Sequence, residues 1–164
     1  MSLTPQLVLY EEDHKKIVAV AERLVHDANA KAVFLVDKNG QLVAEAGELV
    51  GIDTTSLASL VAGNIAASGG LAKLIGENEF PTHFHQGERD NVHITLVAQR
   101  IILVVIFDER SSLGLVRLRV KKAGQRFAQL FEALYKKAES EFGDEGDSPF
   151  SEITDDDIDN LFSD

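Results

Sequence analysis

Ile101–Phe107 is seven consecutive apolar residues, and this run constrains the fold more than any other feature of the chain. A half-buried strand alternates apolar and polar residues, so an unbroken run this short reads as a strand covered on both faces. Ala32-Val33-Phe34-Leu35-Val36 carries the same signature. Two such strands require a sheet with a layer of helices on each side.

The remaining elements follow from periodicity. Residues 11–28 place Ile17, Val20, Ala21, Leu24 and Ala28 at helical spacing, with charges between them. Asn39-Gly40 is a two-residue hairpin signal that asks for positive φ at both positions. It leads into a strand at about Gln41–Ala46. Asp53 or Thr54 is placed to cap a second helix, which runs to about Ile75 and ends near Gly76. Pro81 marks a loop. Strands are expected near His83–Gly87 and Val92–Ala98, and Ser111 or Ser112 caps a last helix to about Ala138. The predicted order is α-β-β-α-β-β-β-α. The fold class is α/β of the α+β type, a mostly antiparallel five-stranded sheet with helices on both faces. Residues 1–140 form the domain and 141–164 an acidic tail, with Gly143–Ser148 as its linker.

Charge divides the chain at the same place. Net charge is −11 from 16 basic and 27 acidic residues. Glu139–Asp164 holds eleven of the acids and no Lys or Arg, which leaves residues 1–138 balanced. A neutral body with an acidic tail argues against nucleic acid or an anionic membrane as partner. The absence of cysteine removes disulfides, thiolate catalysis and cysteine metal sites. No apolar run nears the roughly 20 residues that span a bilayer. The start, Met1-Ser2-Leu3-Thr4-Pro5, shows neither a signal peptide nor a lipidation motif. A cytoplasmic protein without membrane insertion is the expectation, and no cofactor is implied.

The second helix carries the functional signal. On a wheel of about 100° per residue, Leu57, Leu60, Val61, Leu71 and Ile75 gather as the expected core stripe, with Ile65 at its edge. The opposite side collects Ser59, Ala62, Gly63, Ala66, Gly69, Gly70 and Lys73, where Lys73 is the only charge. Each interior glycine costs about 1 kcal/mol of helix stability relative to alanine. Close approach by another backbone is the physical compensation. The bland reading is small residues tolerated on a solvated helix. The docking reading makes the strip a seat for a partner. One helix is also narrow for one face of five strands, so a second copy beside it, in a homodimer, would close the gap.

The tail has its own pattern. Thr154 is placed to cap a short helix at about 154–162, with Asp155, Asp156 and Asp157 at its N-terminus. Ile153, Ile158, Leu161 and Phe162 give it an apolar edge. It is too short to be stable alone and reads as a motif that folds on a partner. The alternative is a solubilising tail.

Several segments resemble a known family: Ala30–Gln41, Asp53–Leu60, Gly69–Glu77, Val104–Asp108 with Ser112-Leu113-Gly114, and Thr154–Phe162. These are similar to the bacterial MglB regulators of the roadblock (dynein light chain roadblock) superfamily, over nearly the whole chain. The resemblance implies a homodimer whose subunits join edge to edge in one long sheet. It implies GTPase-activating action on an MglA-like Ras-type GTPase that sets cell polarity for motility, with other polarity proteins as further partners. It places Ala66 and Gly70 in the GTPase-contacting strip, gives the tail helix an influence on nucleotide exchange, and suggests concentration at a cell pole.

The chain has no P-loop. Arg89, Arg100, Arg110, Arg117 and Arg119 are the arginines weighed as a finger, and none sits on the second-helix strip. The family is understood to realign the GTPase's own Arg and Gln, which makes this chain a non-catalytic activator. Two other classes stay open: a scaffold that binds without stimulating hydrolysis, and a small-molecule sensor or enzyme. His83, His85 and His93 are the residues weighed as a zinc site, without a clear fourth ligand. Asp155, Asp157 and Asp159 imitate an EF-hand opening but lack its Gly and its Glu. Lys121, Lys122 and Arg126 read as a solvated face, or as a second docking surface away from the GTPase.

Overall fold

The computed structural model describes residues 11–144. Eight elements follow in order: α1 Glu11–Asp27, β1 Ala32–Asp37, β2 Leu42–Gly47, α2 Thr54–Leu74, β3 Thr82–Gln86, β4 Asn91–Ala98, β5 Ile101–Phe107 and α3 Leu113–Asp144. The five strands form one sheet in the order β2-β1-β5-β4-β3, antiparallel at every pairing. The double-sided apolar strands β1 and β5 lie next to each other inside it, as their composition requires.

Alternate residues of these two strands feed two cores. Ala32, Phe34 and Val36 with Ile102, Val104 and Ile106 face α2. Val33 and Leu35 with Ile101, Leu103, Val105 and Phe107 face α1 and α3. Phe34, Phe127 and Phe131 are fully buried, so both layers are anchored by large side chains. The α1/α3 layer is complete: the two helices pack on each other, α1 covers β1 and β2, and α3 covers β4. The other layer is α2 alone, lying over β1 and β2. On that side Val92 and Leu96 of β4 are only partly buried.

Several boundaries differ from the sequence reading. Only Gly40 in the β1–β2 turn has positive φ, at +90°; Asn39 does not. Asp37 Oδ1 accepts from the Asn39 N–H at 2.7 Å, and the Asp37 carbonyl accepts from the Gly40 N–H at 2.8 Å. The loop is therefore the three-residue kind, a turn closed by one left-handed glycine, rather than the two-residue Asn-Gly turn. Helix α3 also runs past Ala138 to Asp144, so Gly143 and Asp144 belong to the helix and not to the linker. One glycine near a helix end does not stop it without a capping geometry.

His93 of β4 is 2% exposed and lies on the α1/α3 side, opposite Phe84 of β3. Its Nε2 has no partner among the described residues. Burial pushes its pKa below 6.5, and the Arg117 charge adds to the shift. A depressed histidine pKa stabilises the fold above the unfolded value and loses that contribution as pH falls through the folded value. Stability is therefore expected to drop on acidification below about 6.5, and His93→Leu should flatten that part of the profile. Denaturant melts across pH check this; an unchanged slope in the variant contradicts it.

Candidate functional site

Helix α2 is built with defined ends. Asp53 is the N-cap: the Ser56 N–H donates to Oδ1 at 3.1 Å and the Ser56 hydroxyl to Oδ2 at 2.7 Å. These hydrogen bonds, the Ser56 hydroxyl first, hold the Asp53 carboxyl below its usual range. At the far end Gly76 adopts φ +82°, and the Glu77 N–H reaches back to the Ala72 carbonyl at 2.8 Å. That closure is why the helix stops at the glycine.

The buried face of α2 is Ala58, Val61, Ile65 and Ala72, with Leu57 half-buried. This corrects the expected stripe. Val61 and Ile65 do enter the core, but Leu60, Leu71 and Ile75 do not: they are 73%, 56% and 64% exposed. Ala58 and Ala72 are buried while these leucines are not. The displaced leucines, together with Leu74, stand in solvent. Of the six large hydrophobics exposed among the described residues, four lie on α2 or at its end and Val50 lies in the loop before it. Scattered exposed leucines need no explanation, whereas a contiguous group marks an interaction surface.

The small residues lie beside this apolar group. Ser59, Gly63, Ala66, Gly70 and Lys73 are exposed, and Ala62 and Gly69 are half-buried. They divide into two kinds. A Cβ built on Gly40 of the β1–β2 turn would lie 3.4 Å from Ser59 Cα and 3.8 Å from Ala62 Cβ. The hairpin's own approach thus accounts for two small side chains. Gly63, Gly69 and Gly70 have nothing within 4 Å of an added Cβ. Nothing described in the chain packs against these glycines.

The α2 side continues across the sheet to β3, whose outer edge pairs with no described strand. Thr82-His83-Phe84-His85-Gln86 carries no lysine or proline to blunt that edge. His83 pairs with Ile94 and His85 with Val92, so both face the α2 side, while His93 faces α3. The sheet itself separates the three imidazoles, and no cluster fit for a metal exists among the described residues. The zinc reading is set aside. By length and composition α2 could cross a membrane, contrary to the expectation that no segment approaches this, but part of it is buried in the domain core.

The candidate finger arginines are placed away from the strip. Arg110 is fixed by Asp108, at 3.0 Å from Nε to Oδ1 and 3.0 Å from Nη2 to Oδ2, and by Glu48 at 3.2 Å. Arg110 in turn holds the Asp108 carboxyl below its usual range. Arg117 and Arg119 lie on α3, across the sheet, and Arg89 and Arg100 lie in the turns flanking β4. The tail residues Ile153, Asp155, Asp156, Asp157, Ile158, Leu161 and Phe162 fall outside the described residues.

The Roadblock/LC7 domain family model matches residues 16–107, from α1 to the end of β5. This chain belongs to that family. Within it the likeness is to MglB. Myxococcus xanthus MglB is 64% identical, with a TM-score of 0.74 over 77% of this chain and 96% of its own. The gliding protein MglB of Thermus thermophilus is 36% identical, TM-score 0.74, over 80% and 99%. An MglB with a tetrameric arrangement is 35% identical, TM-score 0.75, over 80% and 99%. No protein among the curated sequences matches.

The open glycines give a direct test. An exposed helical glycine is worth about 0.5–1 kcal/mol less than alanine. Gly70→Ala is expected to raise the stability of the free protein by that amount, read as a higher denaturant midpoint at unchanged slope. A loss of stability would show that something already packs against this Cα.

Proposed function

We propose that this protein is a homodimeric activator of an MglA-type Ras-like GTPase in a cell-polarity and gliding system. The observation that carries the proposal is the outward face of α2, where Gly63 and Gly70 meet open space beside exposed Leu60, Leu71 and Leu74. The apolar group supplies area to bury, and the glycines let a partner backbone come close. The likeness to MglB proteins from Myxococcus and Thermus supports the choice of partner.

The dimer has a natural site in the free edge of β3. A second copy adding its own β3 there continues the sheet and brings a second α2 to the incompletely covered side, over Val92 and Leu96. The GTPase then docks on the paired helices. The activator acts by holding its partner in a hydrolysis-competent arrangement, in which the GTPase's own Arg and Gln line up. Its own arginines are on other surfaces or, for Arg110, tied to carboxylates. The tail segment 154–162 binds the GTPase and influences nucleotide exchange. The working location is the cytoplasm, concentrated at a pole, with no membrane insertion, nucleic acid or cofactor. A scaffold that docks the same GTPase without accelerating hydrolysis is the second reading, favoured by the lack of an arginine on the strip.

Ala66→Arg and Gly70→Arg place a long charged side chain on the exposed face. Each is expected to weaken GTPase binding by tenfold or more, which is about 1.4 kcal/mol, with a thermal midpoint that does not fall. Unchanged binding contradicts the site. In GTP turnover assays the wild type accelerates hydrolysis, and Arg→Ala at Arg89, Arg100, Arg110, Arg117 or Arg119 leaves that acceleration in place. Binding without acceleration selects the scaffold. Acceleration lost in a single arginine variant that still binds restores the finger.

A further inference from the structure

The side of the domain away from α2 is basic in one place. From Leu113 to Phe131, α3 carries Arg117, Arg119, Lys121, Lys122 and Arg126 and no carboxylate. Arg119, Lys122 and Arg126 follow each other at helical spacing along the flank facing α1, where they line a groove with Arg23 and Asp27. Lys122 and Arg126, read from the sequence as part of a solvated face, meet Arg119 and the Arg23 of α1 there, whereas Lys121 does not line the groove. Asp27 is the only acid lining the groove, and it is bound to Arg23 at 3.4 Å and beside His26 at 3.3 Å. Arg119, Lys122 and Arg126 form no ion pair among the described residues, and Arg119 Nε is buried without a partner there. Leu118, the one large hydrophobic of α3 exposed among the described residues, lies one turn from Lys122.

We propose that this groove is the resting site of the chain's own acidic tail, through residues 152–162. The segment Glu152-Ile153-Thr154-Asp155-Asp156-Asp157-Ile158-Asp159 offers carboxylates to the cations and an apolar edge to Leu118. The α2 face offers such a segment a single cation, Lys73. Reach is sufficient. From Asp144 back to Arg126 is about 27 Å along the helix, and residues 145–152 span up to about 26–29 Å when extended. The free regulator therefore keeps its tail on the side opposite the GTPase seat, and the tail's other engagements compete with this one. This inference rests on the groove and the tail composition, not on the GTPase reading.

The chain has no cysteine, so Ser151→Cys gives a unique nitroxide attachment point in the full-length protein without GTPase. Paramagnetic broadening of amides is expected at Arg23, Leu118, Lys122 and Arg126, and not along α2. It should fall several-fold between about 0.1 M and about 1 M salt, as the screening length shrinks from about 10 Å to about 3 Å. It should also fall in K122E/R126E, whose substituted side chains are exposed, and in a chain with Asp155, Asp156 and Asp157 changed to Asn. Broadening centred on α2 or β3, or broadening insensitive to both salt and charge reversal, overturns the proposal.

Discussion

The structure depends on two neighbouring strands, β1 and β5, that have no side fit for water. Ile102, Val104 and Ile106 must be covered on one face, and Ile101, Leu103, Val105 and Phe107 on the other. Burying such side chains is worth about 1.5–3 kcal/mol each relative to exposure. The chain meets this demand unequally. Two helices close one face, and on the other a single helix covers β1 and β2 while β4 stays partly open. That asymmetry leaves an incomplete layer beside an exposed apolar helix face, the kind of surface that marks interaction sites.

The chemistry of α2 fits a surface that is solvated part of the time and covered part of the time. Its core side is made of alanine, valine and isoleucine. Its outer side combines leucines with glycines, one group giving area and the other giving access. A helix of constant solvent exposure would carry more charge, and a core helix would bury its leucines. The proposed GTPase docking uses this face, while the opposite face, with Arg119, Lys122 and Arg126 beside Arg23, is chemically suited to acidic segments.

Much of the fold was legible in the sequence because its signals are local. Double-sided apolar runs announced β1 and β5, Asp53 and Gly76 bracketed α2, and Ser112, whose hydroxyl accepts from the Leu115 N–H at 3.2 Å, opened α3. What was not legible depended on distances between elements. The wheel put Leu60 and Leu71 in the core because hydropathy does not report which side of a helix meets its neighbours, and Ala58 and Ala72 are buried in their place. The wheel grouped Ser59, Ala62, Gly63 and Gly70 on one side, yet it could not show that Ser59 and Ala62 answer to Gly40 of the first hairpin while Gly63 and Gly70 do not. The histidines could not be assigned to faces before the β3–β4 register was known. The grouping of Arg119, Lys122 and Arg126 with Arg23 needed the packing of α1 on α3.

The central claim is that a GTPase covers the outward face of α2. Leucine methyl groups report this most directly, because Leu60, Leu71 and Leu74 mark that face and Leu118 marks the other. Methyl NMR spectra of the protein titrated with a GTP-loaded MglA-type GTPase should show large shifts or broadening at the three α2 leucines, beyond any shift that release of the tail causes at Leu118. Binding that perturbs Leu118 and leaves the α2 methyls where they were would contradict the account.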